Sequence, residues 1–90
     1  MDQKWSDIFR EPVDTDEVTD YLDVVTEPMD LQTIEKRIHK GDWYKNKHIL
    51  YSDLMKMTNN CKLYNGEESR YTEYAIRLEE YLSTIFPKEI

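Results

Sequence analysis

Two long stretches of the chain carry apolar side chains at helical intervals. Leu50, Leu54, Met57, Cys61 and Tyr64 follow one another at steps of four, three, four and three, and Tyr71, Ala75, Leu78, Leu82 and Ile85 repeat those steps. Such a stripe lines one face of a 3.6-residue helix, so each stretch predicts an amphipathic helix with that face turned to a core. Asn46 and Ser69 are placed to cap these two helices, and Pro87 to stop the second. A shorter helix is predicted after Pro28-Met29-Asp30. The Asp30 carboxylate can cap it, and Leu31, Ile34 and Ile38 keep helical spacing. Gly41 follows the basic end Lys36-Arg37-Ile38-His39-Lys40, where a left-handed residue and positive charge suit a C-terminus. Asp42 to Lys45, with Trp43 and Tyr44, reads as a short aromatic loop.

The front of the chain is less regular. Trp5 and Phe9 stand four apart with Ile8 between them. That spacing can stack both rings on one face of a short helix, or leave a frayed end, because so few residues nucleate poorly alone. Glu11 to Glu27 shows no sustained helical period: Pro12 and Pro28 bracket it, and Asp14-Thr15-Asp16-Glu17 is an acidic turn or one turn of helix. Yet Val13, Val18, Tyr21, Leu22, Val24 and Val25 are too many apolar groups for a free linker. A loop this long that is ordered by packing is expected to be functional. Three amphipathic helices and a fragment, joined by one long loop, predict an all-α fold, a small helical bundle forming a single domain over residues 1–90.

Composition narrows the function classes. Ninety residues with 39% hydrophobic and 34% charged side chains fit one small globular domain. Two glycines and three prolines leave little room for an all-β fold rich in turns. No apolar run approaches a membrane span and no signal-peptide pattern opens the chain, so no membrane partner is expected. The net charge of −7, with twelve basic residues scattered among nineteen acidic ones, argues against direct nucleic-acid binding and for a basic partner. One cysteine excludes an internal disulfide and points to a reducing, intracellular compartment. One Cys and two scattered His do not make a zinc site, and no cofactor is expected.

Catalytic constellations are missing: there is no Gly-rich phosphate loop, no Ser or Cys placed beside a His, and no HExxH-like pair. His39 and His48 read as solvated, Cys61 as a buried thiol in the apolar stripe, and Glu67-Glu68 as solvated loop carboxylates. The chain alone is not expected to be an enzyme. The informative stretch is Asn59 to Tyr71, which joins the two long helices through Tyr64-Asn65-Gly66. Asn-Gly beyond an apolar run is an ordinary helix stop. Asn65 also offers two N–H donors and an acceptor, and Tyr64, Tyr71 and the run from Pro12-Val13 to Val18 can wall it in. A single amide at the floor of an apolar, aromatic pocket suits a neutral ligand that carries a carbonyl.

Phe9-Arg10-Glu11-Pro12-Val13-Asp14, Val18-Thr19-Asp20-Tyr21, Glu27-Pro28-Met29-Asp30-Leu31 and Asn60-Cys61-Lys62-Leu63-Tyr64-Asn65 resemble a bromodomain, in order and at the family's spacing. The resemblance runs from about Trp5 to Phe86. Its second half looks most like the bromodomains of histone acetyltransferases; its front half is as close to those of AAA-ATPase chromatin proteins. The resemblance implies a left-handed four-helix bundle with a long loop between the first two helices. It also implies binding of acetylated lysine in protein tails, histone tails above all, by a nuclear chromatin reader. Carried over by position, Asn65 donates to the acetyl carbonyl and Tyr21 reaches the same oxygen through a water. Pro12, Val13, Val18 and Tyr64 belong to the pocket, Phe9 meets the acetyl methyl, and Tyr71 stands at the rim. The chain departs from the family where a Trp-Pro-Phe shelf reads Asp7-Ile8-Phe9, where Thr19 replaces Pro and where Leu22 replaces a second Tyr. The lost Trp bears on how a flanking peptide is gripped.

Two other classes stay open: a degenerate bromodomain-like scaffold for protein–protein interaction, and an accessory domain of a larger acetyltransferase or ATPase. The resemblance also calls for a full first helix, whereas about ten residues precede Pro12. A short or truncated first helix is therefore expected. With upstream residues missing, the three striped helices would expose an apolar groove and the domain would be marginal or self-associating.

Overall fold

Asp30 opens the first long helix as the sequence predicts, its carboxylate accepting from the Thr33 amide at 2.8 Å and from the Thr33 hydroxyl at 2.7 Å. The structure, a computed structural model, describes residues 5–86, with side chains from Asp7 onward. The stacking expected of the Trp5 ring and the stop expected at Pro87 lie outside the described residues. A single 3-10 turn, Trp5–Phe9, begins the chain. Four α-helices follow: α1 (Tyr21–Val24), α2 (Leu31–Lys40), α3 (Lys47–Asn65) and α4 (Arg70–Ile85). There is no strand among the described residues, and no described helix is long and apolar enough to cross a membrane. The fold is an all-helical bundle whose first element is short.

The helix boundaries follow from local chemistry. Gly41 ends α2 in the left-handed region at φ 86°, its N–H reaching the carbonyls of Arg37 and Ile38. Asn46 accepts from the Ile49 amide to start α3, and Ser69 accepts from the Tyr71 amide to start α4. Gly66 stands just past α3 at φ 87° and sends its N–H to Lys62, so the Asn65-Gly66 pair is indeed the stop of α3.

One element was not legible in the sequence: α1, a single turn of helix inside the stretch that shows no helical period. Four residues cannot hold a helix alone. Here Tyr21 is buried and Val25, whose N–H closes the turn onto the Tyr21 carbonyl, is fully buried.

The largest helix interface joins α3 to α4. Phe9, Met57, Cys61 and Ala75 form the centre of the core, with Ile8, Met29, Leu54, Tyr74 and Leu78 packed against it. The 3-10 turn thus closes one end of the α3–α4 seam. The predicted stripes are buried at their middles and open at their ends. On α2, Ile34 is 4% exposed while Ile38 is 53% exposed. On α4, Ala75 and Leu82 are buried while Tyr71 and Ile85 are about half exposed. Among the described residues, no further element covers those outer positions.

Candidate functional site

Where the 3-10 turn, the long loop, the C-terminus of α3 and the N-terminus of α4 converge, they line an open cavity of about 250 Å³. Its α3 wall is one helical ridge, Met57, Cys61 and Asn65 at successive i, i+4 positions, with Tyr64 beside it. Val13, Val18 and Tyr21 come from the loop and α1, Phe9 and Ile8 from the 3-10 turn, and Tyr71 from the first turn of α4. Glu11 and Met29 complete the lining. Of the residues expected in a pocket, Asn65, Tyr21, Tyr64, Val13, Val18, Phe9 and Tyr71 come together here. Pro12 does not: it is exposed and outside the lining, though its neighbours on both sides belong to it.

Ile8, Glu11, Met29, Met57 and Cys61 were not singled out. For Met57 and Cys61 the signal was present, since both stand on the Asn65 face of a helix already predicted. Met29 and Glu11 are brought in by the path of the loop, which no local pattern encodes.

Asn65 is the last residue of α3 and its side-chain amide is oriented by its own helix. Its Nδ2 donates to the Cys61 carbonyl at 2.9 Å and lies 3.6 Å from the Cys61 sulfur. The Cys61 thiol in turn donates to the Tyr71 carbonyl at 3.3 Å, joining the end of α3 to the start of α4. Burial pushes the Cys61 thiol up, so it stays a thiol and a weak donor. Thr72, itself buried, donates its hydroxyl to the Gly66 carbonyl at 2.5 Å and closes the turn between the helices.

Two tyrosines, Tyr21 from α1 and Tyr64 from α3, meet beside this ridge. The rings of Tyr21 and Tyr64 lie 5.0 Å apart, tilted by 57°. The Tyr64 hydroxyl donates to the Asp20 carboxylate at 2.6 Å, and that hydrogen bond raises the Tyr64 phenol above its ordinary range. The Tyr21 phenol is also raised, by burial first and by Cys61 second. Both remain neutral hydroxyls at ordinary pH. No described group hydrogen-bonds the Tyr21 hydroxyl, which leaves it both a donor and an acceptor to offer.

The cavity therefore combines apolar side chains with one side-chain amide and the phenols of Tyr21, Tyr64 and Tyr71, and Glu11 is the one acidic side chain in its lining. No group of three or more His, Cys, Asp or Glu that could hold a metal occurs among the described residues. Such an arrangement suits a small neutral group that carries an acceptor atom.

The sequence profile of the Bromodomain family matches residues 1–77. Histone acetyltransferase GCN5 of Oryza sativa subsp. japonica is 37% identical over 75 residues, covering 83% of this chain and 15% of that protein. A bromodomain-containing protein homolog of Drosophila melanogaster is 39% identical over 79 residues, 88% of this chain and 6% of the relative. Transcription initiation factor TFIID subunit 1 of the same fly is 37% identical over 76 residues, 84% of this chain and 4% of the relative. The chain thus spans 15% or less of the length of these three relatives.

Proposed function

This chain belongs to the bromodomain family, whose members are acetyl-lysine readers in chromatin proteins, and from that premise we propose that the cavity at Asn65 takes the acetylated side chain of lysine in the basic tails of histones. A bromodomain is a reader module rather than a catalytic one. The 90 residues act as one such domain, in the nucleus, within a longer chromatin or transcription protein. The observation that carries the reading is the Asn65 amide, held in the wall of an otherwise largely apolar cavity of about 250 Å³.

The chemistry is a contrast between two forms of one side chain. Acetylation turns an ammonium into a neutral amide with a carbonyl acceptor and a terminal methyl. Asn65 Nδ2 donates to the Cys61 carbonyl and to the Cys61 sulfur, which fixes the plane of the amide; a ligand carbonyl need displace only the weak sulfur contact. The Tyr21 hydroxyl can hold a water against the same oxygen, and bridging waters approach direct bonds in strength. Phe9, Val13, Val18 and Met57 offer apolar contact to the stem and methyl. An unmodified ammonium would lose its hydration among these largely apolar walls and face the Asn65 donor, a penalty of several kcal/mol. Outside the cavity, the net charge of −7 attracts a basic tail.

Titration with paired peptides tests the proposal. Acetyl-lysine peptides from histone tails are expected to bind at micromolar strength or weaker, since one polar anchor must order a flexible chain, and unmodified peptides far less. Equal affinity for the two would overturn it in favour of a scaffold role.

A further inference from the structure

The long loop meets α3 along one edge of that helix. Lys56, Asn60 and Tyr64 stand four residues apart, so they share a face, and each bonds the loop. Lys56 Nζ donates to the Glu27 carboxylate at 2.8 Å. Asn60 Nδ2 donates to the Glu27 backbone carbonyl at 2.8 Å. Tyr64 donates to Asp20 at 2.6 Å. Between the two tied loop residues lies α1, and Tyr21 follows Asp20 directly.

We propose that Lys56 and Asn60, neither of which lines the cavity, are positioning residues for recognition. Together with Tyr64 they clasp residues 20–27 to α3 and thereby hold Tyr21 opposite Asn65. The inference deepens the acetyl-lysine reading and rests on it. Its physical ground is the nature of the loop's other ties. The remaining hydrogen bonds of residues 11–29 among the described residues are local, such as Val18 N–H to the Asp14 carbonyl and Val25 N–H to the Tyr21 carbonyl. Burial of Tyr21 and Val25 adds adhesion, but apolar contact is non-directional and leaves the loop free to slide. Directional bonds on both flanks of α1 remove that freedom. Lys56 is itself backed by Asp53, 3.9 Å away, which is buried and also holds Arg37.

A loop that leaves its clasped position part of the time offers a competent cavity only in the remaining fraction, and apparent affinity falls by that fraction. Asn60→Leu and Lys56→Met keep the size of each side chain and suit a helix, while removing the donor or the charge. Two quantities are measured on the 90-residue chain: the affinity for an acetyl-lysine peptide, and amide hydrogen exchange resolved by segment. Asn60→Leu is expected to weaken binding about fivefold and Lys56→Met about twofold. Lys56→Arg, which preserves the ion pair, should stay near wild type. Exchange should quicken in residues 18–27 and stay unchanged around Met57 and Ala75.

Unchanged affinity and unchanged loop exchange in both donor-removing variants would overturn the clasp. So would a loss of affinity accompanied by faster exchange across α3 and α4 alike, which marks general destabilisation. If the wild-type chain ignores the acetylated peptide, the reader assignment fails. Exchange then still decides the clasp: local quickening supports it and its absence refutes it.

Discussion

Asn65 stands where a helix end meets the cavity. As the last residue of α3 it ends the helix against Gly66, and its side-chain amide, tied to the Cys61 carbonyl, belongs to the cavity lining. Asn65→Ala would leave a ligand carbonyl without its partner in a desolvated slot, at a cost of about 1–3 kcal/mol. Peptide affinity should fall at least several-fold while circular dichroism stays helical; retained affinity would reduce Asn65 to a helix stop. In the proposed reading Tyr21 acts at one remove, through a water, so Tyr21→Phe should weaken binding by less than Asn65→Ala in the same titration. The reverse order would mean that the Tyr21 hydroxyl touches the ligand directly or anchors the loop. The proposed recognition is thus asymmetric: one direct donor, fixed by its own helix, and one solvent-mediated partner fixed by a neighbouring element.

At the scale of elements, the corner between α2 and α3 is organised around a carboxylate that touches no part of the cavity. Asp53 is buried, and its Oδ2 accepts from Arg37 at 2.7 Å and from the Tyr44 hydroxyl at 2.8 Å. The Arg37 guanidinium also lies over the Trp43 ring, 4.1 Å from its centre. The aromatic loop is therefore folded back on the bundle by one hydrogen bond, from Tyr44, and one stack, on Trp43. On the other side of α3, Lys62 and the Thr58 hydroxyl both donate to Glu79 and fasten α3 to α4. Asp53→Ala would strand a partly buried guanidinium, a loss of about 2 kcal/mol. For a domain of this size that lowers the melting temperature by on the order of 10 °C. A calorimetric midpoint within a degree or two of wild type would show that the corner carries no stability.

The same corner gives the whole molecule an alkaline limit. Burial, and then the hydrogen bond to Asp53, push the Tyr44 phenol from 10.0 up to about 12. The folded protein thus holds that proton more tightly than the unfolded chain does. Its contribution to stability is complete below pH 10.0 and is lost as pH rises towards about 12. Melting temperature should fall across that window, and Tyr44→Phe should flatten the part of the fall that belongs to Tyr44. An unaltered slope in the variant would place the alkaline loss elsewhere, Tyr21 and Tyr64 being raised in the same direction. At the acid end the sign reverses for Glu27, whose hydrogen bond to Lys56 holds its carboxyl below the ordinary value. That contribution is present above its unfolded pKa and lost as pH falls through the lowered one.

What the sequence determined by itself is everything carried by contacts within a few residues: the three long helices, the caps Asp30, Asn46 and Ser69, the glycine stop at Gly41, and the end of α3 at Asn65-Gly66. These rest on backbone hydrogen bonds and side-chain caps spanning three to five positions, which a local pattern records. The family motifs likewise named most of the cavity, and the i, i+4 ridge from Asn65 back through Cys61 to Met57 was there to be read. Only the tertiary structure decided the rest. The four-residue α1 exists because Tyr21 and Val25 are buried beneath it, not because its residues favour a helix. Pro12 falls outside the cavity while Glu11 and Met29 enter it, and the loop's ties to α3 run from Lys56, Asn60 and Tyr64 to residues 29 to 44 positions away, beyond the reach of any local pattern. Tyr71 and Ile85 keep perfect spacing yet lie in the open, since a stripe records which face a helix can bury, and only the number and length of its neighbours decide how much of that face is covered.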